Sequence, residues 1–306
     1  MSLVVTGTAA FDSVKTPSGS RENVLGGSAI YFSLAASFFG PVKVVAVVGE
    51  DYPQEALRML EDRSIDTKGI VRIPGKTFRW RGEYGQDLNE AKTLETQLNV
   101  LQDFNPSLPD EYRSARFLFL ANIDPLLQGR VKSQLHSPLL IAADTMNFWI
   151  EGRREELLNT LGQVDLAVIN NAEAKMLARD NSLPRAVSKI MQMGPKTVIV
   201  KRGEFGVMLF GEEGVFAAPA FPVAEVCDPT GAGDTFAGGL MGYLACADRL
   251  DAGTIRQAVI CGSVMASFNV EDFSFDRLLS LEKREIKARL ARFEALMRFD
   301  PPEWPG

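Results

Sequence analysis

The sequence predicts an α/β protein in which a mostly parallel central sheet carries helices on both faces, with a small β lid set apart from it. Three observations carry this. Short apolar runs rich in β-formers recur along the chain, as strands buried on both faces require. Helical stretches lie between many of these runs. Two segments, residues 11–24 and 70–101, break that alternation.

The strand-like runs are Leu3–Val5, Val44–Val48, Phe117–Leu120, Leu139–Ala142, Leu166–Ile169, Val198–Val200 and Val207–Phe210. Residues 24–42 contain no charge, but Gly26-Gly27 and Gly40-Pro41 interrupt them, and Ser28, Ser33 and Ser37 dilute the apolarity. A buried helix over Ala29–Phe39 is expected there, with no membrane span. Pro53–Asp62 starts with Pro and carries Ala56, Leu57 and Leu60 on one stripe. Further helices are expected at Arg153–Leu161, Glu173–Ala178 and Pro184–Met193, and a charged amphipathic one at Leu281–Met297. The tail Pro301-Pro302-Glu303-Trp304-Pro305 reads as an irregular end.

Residues 70–101 alternate in a strand-like way, as in Thr77-Phe78-Arg79-Trp80-Arg81 and at Tyr84. Period two puts Arg79 and Arg81 on one face and Trp80 on the other. Residues 11–24 are polar and turn-like and can join this flap. One face is expected over the substrate, with Arg79 and Arg81 as candidates, and Trp80 on the body or on a dimer partner. A flap of two to four strands buries little apolar area, so it should be the mobile part of a single domain spanning residues 1–306.

Composition narrows the class. The chain has 306 residues, 46% of them hydrophobic, a net charge of -6 and no block of Lys and Arg, which argues against a nucleic-acid partner. The three cysteines, Cys227, Cys246 and Cys261, lack CxxC spacing and read as reduced thiols of a cytoplasmic protein. The start of the chain lacks the basic region and cleavage site of a secretory leader. His136 is the single histidine, which leaves no Ser-His or Cys-His pair to build around.

The strongest motif is Asp228-Pro229-Thr230-Gly231-Ala232-Gly233-Asp234, followed by the apolar helical run Thr235–Leu240. Small residues there leave backbone N–H groups uncovered at a helix N-terminus, where free donors and the helix dipole favour an anion. A transferring phosphoryl group needs that support. Asp234 lies in the same turn, where a carboxylate can take a proton from an attacking hydroxyl. The plainer alternative is a Gly-rich turn with an N-capping Asp. The motif is neither GxxxxGK[ST] nor GxGxxG, which disfavours a P-loop and a dinucleotide-binding oxidoreductase.

These residues resemble the C-terminal signature of the PfkB, or ribokinase-like, carbohydrate and nucleoside kinases. Gly26-Gly27 before a small-residue helix, Gly40, Val48-Gly49-Glu50-Asp51, Asn170-Asn171-Ala172-Glu173 and Lys201-Arg202-Gly203-Glu204-Phe205-Gly206 follow the family's order. The resemblance implies a ribokinase-like fold and an ATP-dependent transfer to a hydroxyl of a sugar, with a nucleoside as the alternative acceptor. A catalytically inactive binding protein on the same fold is the third reading. Asp234 would be the base, and Gly231, Ala232 and Gly233 the anion hole. Asn170 and Glu173 would organise Mg²⁺ through water in the family pattern, or simply start a helix. Asp12, Gly26, Gly27 and Tyr31 would face the acceptor. Lys201, Gly203, Gly206 and Asn269 would meet ATP. Asp228 and Thr230 would sit where some members bind a monovalent cation such as K⁺. The oligomer would be a monomer or a homodimer through the lid.

Three positions depart from the pattern. Tyr31 stands where many members carry a sugar-touching Asn. Asp144-Thr145-Met146-Asn147-Phe148-Trp149 lacks the family's arginine, and Lys201 stands where Thr is frequent. Ala266–Glu271 resembles the matching helix end of archaeal-type nucleoside kinases.

Overall fold

A computed structural model describes residues 2–298 and 300. In chain order its elements are β1 (Leu3–Thr6), β2 (Ala10–Thr16), β3 (Gly19–Gly26), α1 (Ser28–Ser37), β4 (Val42–Val48), α2 (Gln54–Glu61), β5 (Ile65–Arg72), β6 (Phe78–Tyr84) and β7 (Ala91–Gln97). Then come β8 (Phe117–Leu120), α3 (Pro125–Lys132), β9 (Leu140–Ala143), α4 (Asn147–Gly152), α5 (Arg154–Leu161), β10 (Leu166–Asn170), α6 (Asn171–Ala178) and α7 (Leu183–Met191). The chain closes through β11 (Thr197–Lys201), β12 (Val207–Gly211), β13 (Gly214–Ala218), α8 (Ala232–Ala247), α9 (Ala252–Asn269), α10 (Asp276–Ser280) and α11 (Lys283–Met297).

Nine strands form one sheet in the order β13-β12-β11-β10-β9-β8-β1-β4-β5. All neighbours are parallel except β11–β12 and β12–β13. Period two explains the two cores. Leu3, Val5, Val44, Ala46, Phe117 and Phe119 enter one cluster with α1, α8 and α9, whereas Val4, Val45, Val47, Leu118 and Leu120 enter the other with α5, α6 and α7. Strands buried on both faces need apolar residues at every position, which is why their runs are continuous.

The uncharged stretch around α1 is explained by burial: every residue from Ser28 to Ala36 is buried. Small residues let the helices beside it approach closely. A Cβ at Gly238 would strike the backbone of Phe32 in α1, and one at Gly239 would sit 3.0 Å from the Cys261 carbonyl in α9. This packing fixes the N-terminus of α8. Among the described residues, no helix is long and apolar enough to cross a membrane.

A second sheet, in the order β3-β2-β6-β7, stands apart. It corrects three expectations. Residues 11–24 are two strands rather than turns; their polar character follows from exposure, alternating along β2 and continuous over Gly19–Asn23 in β3. Residues 70–72 belong to β5, an edge strand of the main sheet, and 98–101 leave the flap for a 3₁₀ turn whose Val100 and Leu101 are buried. Period-two alternation in the flap suggests antiparallel pairing, and that expectation also fails, since β2 and β6 run parallel. The tail at 301–305 lies outside the described residues.

Candidate active site

The Asp228–Asp234 segment forms the turn into α8, and its geometry is over-determined. Asp228 is fully buried; its Oδ1 accepts the Thr230 N–H at 2.9 Å and its Oδ2 the Ser274 N–H at 3.1 Å. Asn269, also fully buried, donates from Nδ2 to the Thr230 carbonyl at 2.8 Å and accepts the Thr235 hydroxyl at 3.0 Å. Asn269 therefore braces the turn from inside, with its amide oxygen and nitrogen both engaged by the turn and α8. Gly231 caps α8 with φ +74°, and a Cβ there would run into the Tyr31 ring. Only glycine meets both demands. Ala232 N–H is bonded to the Pro229 carbonyl at 3.1 Å. The N–H groups of Gly233 and Asp234 have no intrahelical acceptor and face outward with the positive end of the helix dipole.

Charge is concentrated behind this turn. Lys201, at the end of β11, pairs with Asp144 at 2.8 Å; their side chains are 15% and 6% exposed. A Cβ on Gly233 would come within 2.9 Å of the same Nζ, so the ammonium lies against the anion turn. Burial alone would lower the Lys201 pKa, but Asp144, Glu173 and Asp234 outweigh it and hold the amine charged. The carboxylates feel the opposite. Burial, then the Asp144 charge, pushes Asp234 up to about 7 against some relief from Lys201. Burial and Asp144 likewise push Glu173 up to about 8. Three carboxylates thus share one ammonium, and a divalent cation would relieve the excess negative charge.

Asn170 and Glu173 build a reciprocal capping box at the start of α6: Glu173 N–H donates to Asn170 Oδ1 and Asn170 N–H to Glu173 Oε2, both at 2.8 Å. This is the helix-start arrangement, and it uses one oxygen of each side chain. No group of three or more His, Cys, Asp or Glu with metal-holding geometry occurs among the described residues.

The opposite wall comes from β2 and α1. Asp12 is 5% exposed, and burial, then Asp228 and Asp234, pushes it up to about 7. A Cβ at Gly26 would overlap its carboxylate, and Gly27 enters α1 with φ +103°. Tyr31 is buried edge-on to Phe275, ring centroids 5.6 Å apart, and its hydroxyl has no hydrogen-bond partner. Burial, then Asp12 and Asp228, keeps that phenol neutral. Its ring supports Gly231 from below.

The second sheet reaches the site by residues that sequence reasoning did not single out. Tyr84, at the end of β6, accepts the Thr230 hydroxyl at 3.4 Å. Asn89, in the β6–β7 loop, receives the Glu204 N–H at 3.4 Å and lies over Gly203. Gly203 and Gly206 form the turn after β11 with φ +56° and +84°. The expectation for Arg79 and Arg81 needs correction. Asp12 pairs in register with Trp80 and Ser13 with Arg81, so both arginines lie on the face away from Asp12. Arg79 is spent on Asp51 at 2.8 Å, on Asn23 and on the Phe11 ring, with its guanidinium 4.7 Å from the centroid; it anchors the sheet to the body. Arg81 is exposed. Asp144 was also missed as a site residue. The signal was present in the departures themselves, because a Lys in place of Thr on β11 needs a buried carboxylate nearby.

Comparison with known proteins agrees with this architecture. The description "pfkB family carbohydrate kinase" matches residues 2–277. The chain is 31% identical to a cytidine kinase of Thermococcus kodakarensis over 251 residues, covering 79% of this chain and 88% of that one. It is 26% identical to a nucleoside kinase of Methanothermobacter thermautotrophicus, covering 92% and 88%. Among solved structures, a candidate ribokinase II from E. coli in complex with ATP and Mg²⁺ superposes with TM-score 0.77 at 18% identity, covering 95% and 99%. The chain belongs to the pfkB family of carbohydrate kinases and is a phosphotransferase on the ribokinase-like fold.

Proposed function

We propose that this kinase moves the γ-phosphoryl group of ATP onto the hydroxymethyl hydroxyl of a ribonucleoside. The observation that carries the chemistry is Asp234: a carboxylate pushed up to about 7, in the first turn of a helix whose free N–H groups and a neighbouring ammonium await an anion. A base whose pKa lies near the working pH is in good part ionised there and takes a proton readily. Similarity to a cytidine kinase and a nucleoside kinase supports a nucleoside over the free sugar first expected from sequence.

Asp12, buried beside Gly26, accepts hydrogen bonds from ribose hydroxyls. Asp234 takes the proton of the attacking hydroxyl as its oxygen bonds to phosphorus and the bond to the ADP oxygen breaks. Negative charge spread over the phosphoryl oxygens meets Gly233 N–H, Asp234 N–H and Lys201, whose position Asp144 fixes. Glu173 and Asn170 would hold Mg²⁺ through water, and that cation supplies neutralisation of the nucleotide's phosphate charge. Tyr84 and Asn89 bring the second sheet down on the anion turn and on the Gly203 turn, excluding water that competes with the acceptor.

Incubation with ATP, Mg²⁺ and a panel of ribonucleosides and free sugars tests this, with the phosphate ester located by phosphorus NMR. A 5′-monophosphate product is expected. Turnover of sugars alone would overturn the nucleoside reading, and no turnover of either would overturn the assigned chemistry.

A further inference from the structure

We infer that Trp80 is the platform on which the acceptor's base stacks. The inference rests on the nucleoside reading above and names the residue that reads the base.

Face and register place it. Asp12 on β2 pairs with Trp80 on β6, so both side chains leave the sheet on the same side, on strands about 4.8 Å apart. That side is turned to the catalytic cleft, because Tyr84, four residues further along β6, reaches Thr230 of the anion turn from it. In a ribonucleoside the base is attached to the carbon next to the one bearing the 2′-hydroxyl. A ribose held at Asp12 therefore projects its base within a few ångströms of the neighbouring strand, where Trp80 stands.

The indole is also held flat. Gly82, two residues on and on the same face, has no side chain, and a Cβ there would overlap the six-membered part of the ring. From the other side, Nε1 donates to Thr93 on β7 at 3.2 Å, and Thr93 pairs with Gly82 in register. The ring thus lies along the sheet with its edge fixed, and it is only partly buried. An ordinary packing Trp turns its ring into the core; this one is bedded on a glycine with part of its surface uncovered. Every base has a π-face, so stacking accommodates several bases while rejecting acceptors that have none.

The test is steady-state kinetics with cytidine, inosine and ribose for the wild type, Trp80→Phe and Trp80→Ala, each checked for folding by its thermal transition. Losing one base–aromatic stack corresponds to roughly tenfold to a hundredfold in affinity. Trp80→Ala should raise the nucleoside KM by that factor, with the KM for ATP unchanged and the advantage over ribose reduced. Trp80→Phe should retain most of the affinity. Gly82→Ala should also raise the nucleoside KM, because it displaces the ring without removing it. Wild-type turnover of nucleosides with an unchanged KM in Trp80→Ala would overturn the platform while leaving the proposed function intact. Turnover of ribose but not of nucleosides by the wild type would overturn both.

Discussion

Replacing Asp12 by Asn should stabilise the fold at pH 8 and do so by less than half as much at pH 5. Asp12 is pushed from 3.8 to about 7 by burial and by Asp228 and Asp234. The folded protein therefore binds this proton more tightly than the unfolded chain does. Stability falls as pH rises between the two values, and the whole penalty is present above pH 7. A gap of about three pH units corresponds to a ceiling of about 4 kcal/mol. Other charges in the cleft readjust, so a gain of roughly 2–3 kcal/mol is expected at pH 8. With an unfolding entropy of ~2.1 cal/mol/K per residue, that is about 3–5 °C in Tm. At pH 5 the native carboxyl is protonated while the unfolded one is already ionised, so only about a third of the penalty, the part accumulated between pH 3.8 and 5, is present. Thermal unfolding of both proteins at the two pH values measures this, and the acceptor KM should rise at the same time. A variant less stable at pH 8, or equally shifted at both pH values, would refute the repulsion argument.

Three further outcomes follow from the site. The acid limb of kcat/KM should fall below about pH 7, since Asp234 must be ionised to accept the proton and its carboxyl is pushed up to about 7; a limb near pH 4 would exclude it. Glu173→Gln should raise the Mg²⁺ concentration for half-maximal rate, and an unchanged Mg²⁺ titration would reduce Glu173 to its capping role at α6. Gly231→Ala should cost about 10²-fold or more in kcat, because it forces a side chain into φ +74° and into the Tyr31 ring; a rate within a fewfold of wild type would show that the turn adapts.

The parallel strands were legible because burial on both faces leaves an unbroken apolar run. The strands that were misread lie at an edge of the main sheet or in the second sheet, where much of the strand is open to water. β2 and β3 carry Asp12, Ser13, Lys15, Arg21 and Glu22 and looked like turns, β5 mixes Asp66, Thr67 and Lys68 with its apolar residues, and β13 is a five-residue, largely exposed run. The site divides in the same way. Gly231 and Asp234 announce themselves because backbone and chemistry both demand those residues at that spacing. Asn269 and Arg79 are polar residues whose partners are inside the protein, and sequence alone cannot say which way such a side chain is spent. Asp144, Tyr84 and Trp80 act through register and long-range pairing, which no local pattern encodes.

The central claim is that Asp234 takes the acceptor's proton in the anion turn of α8. The most direct measurement compares Asp234→Asn with the wild type by single-turnover phosphoryl transfer, with ATP affinity measured in parallel by calorimetry. A general base of this kind contributes ~10²–10⁴-fold. The account predicts a loss of that size in the transfer rate with ATP binding retained. A variant that transfers phosphate at near the wild-type rate would contradict it.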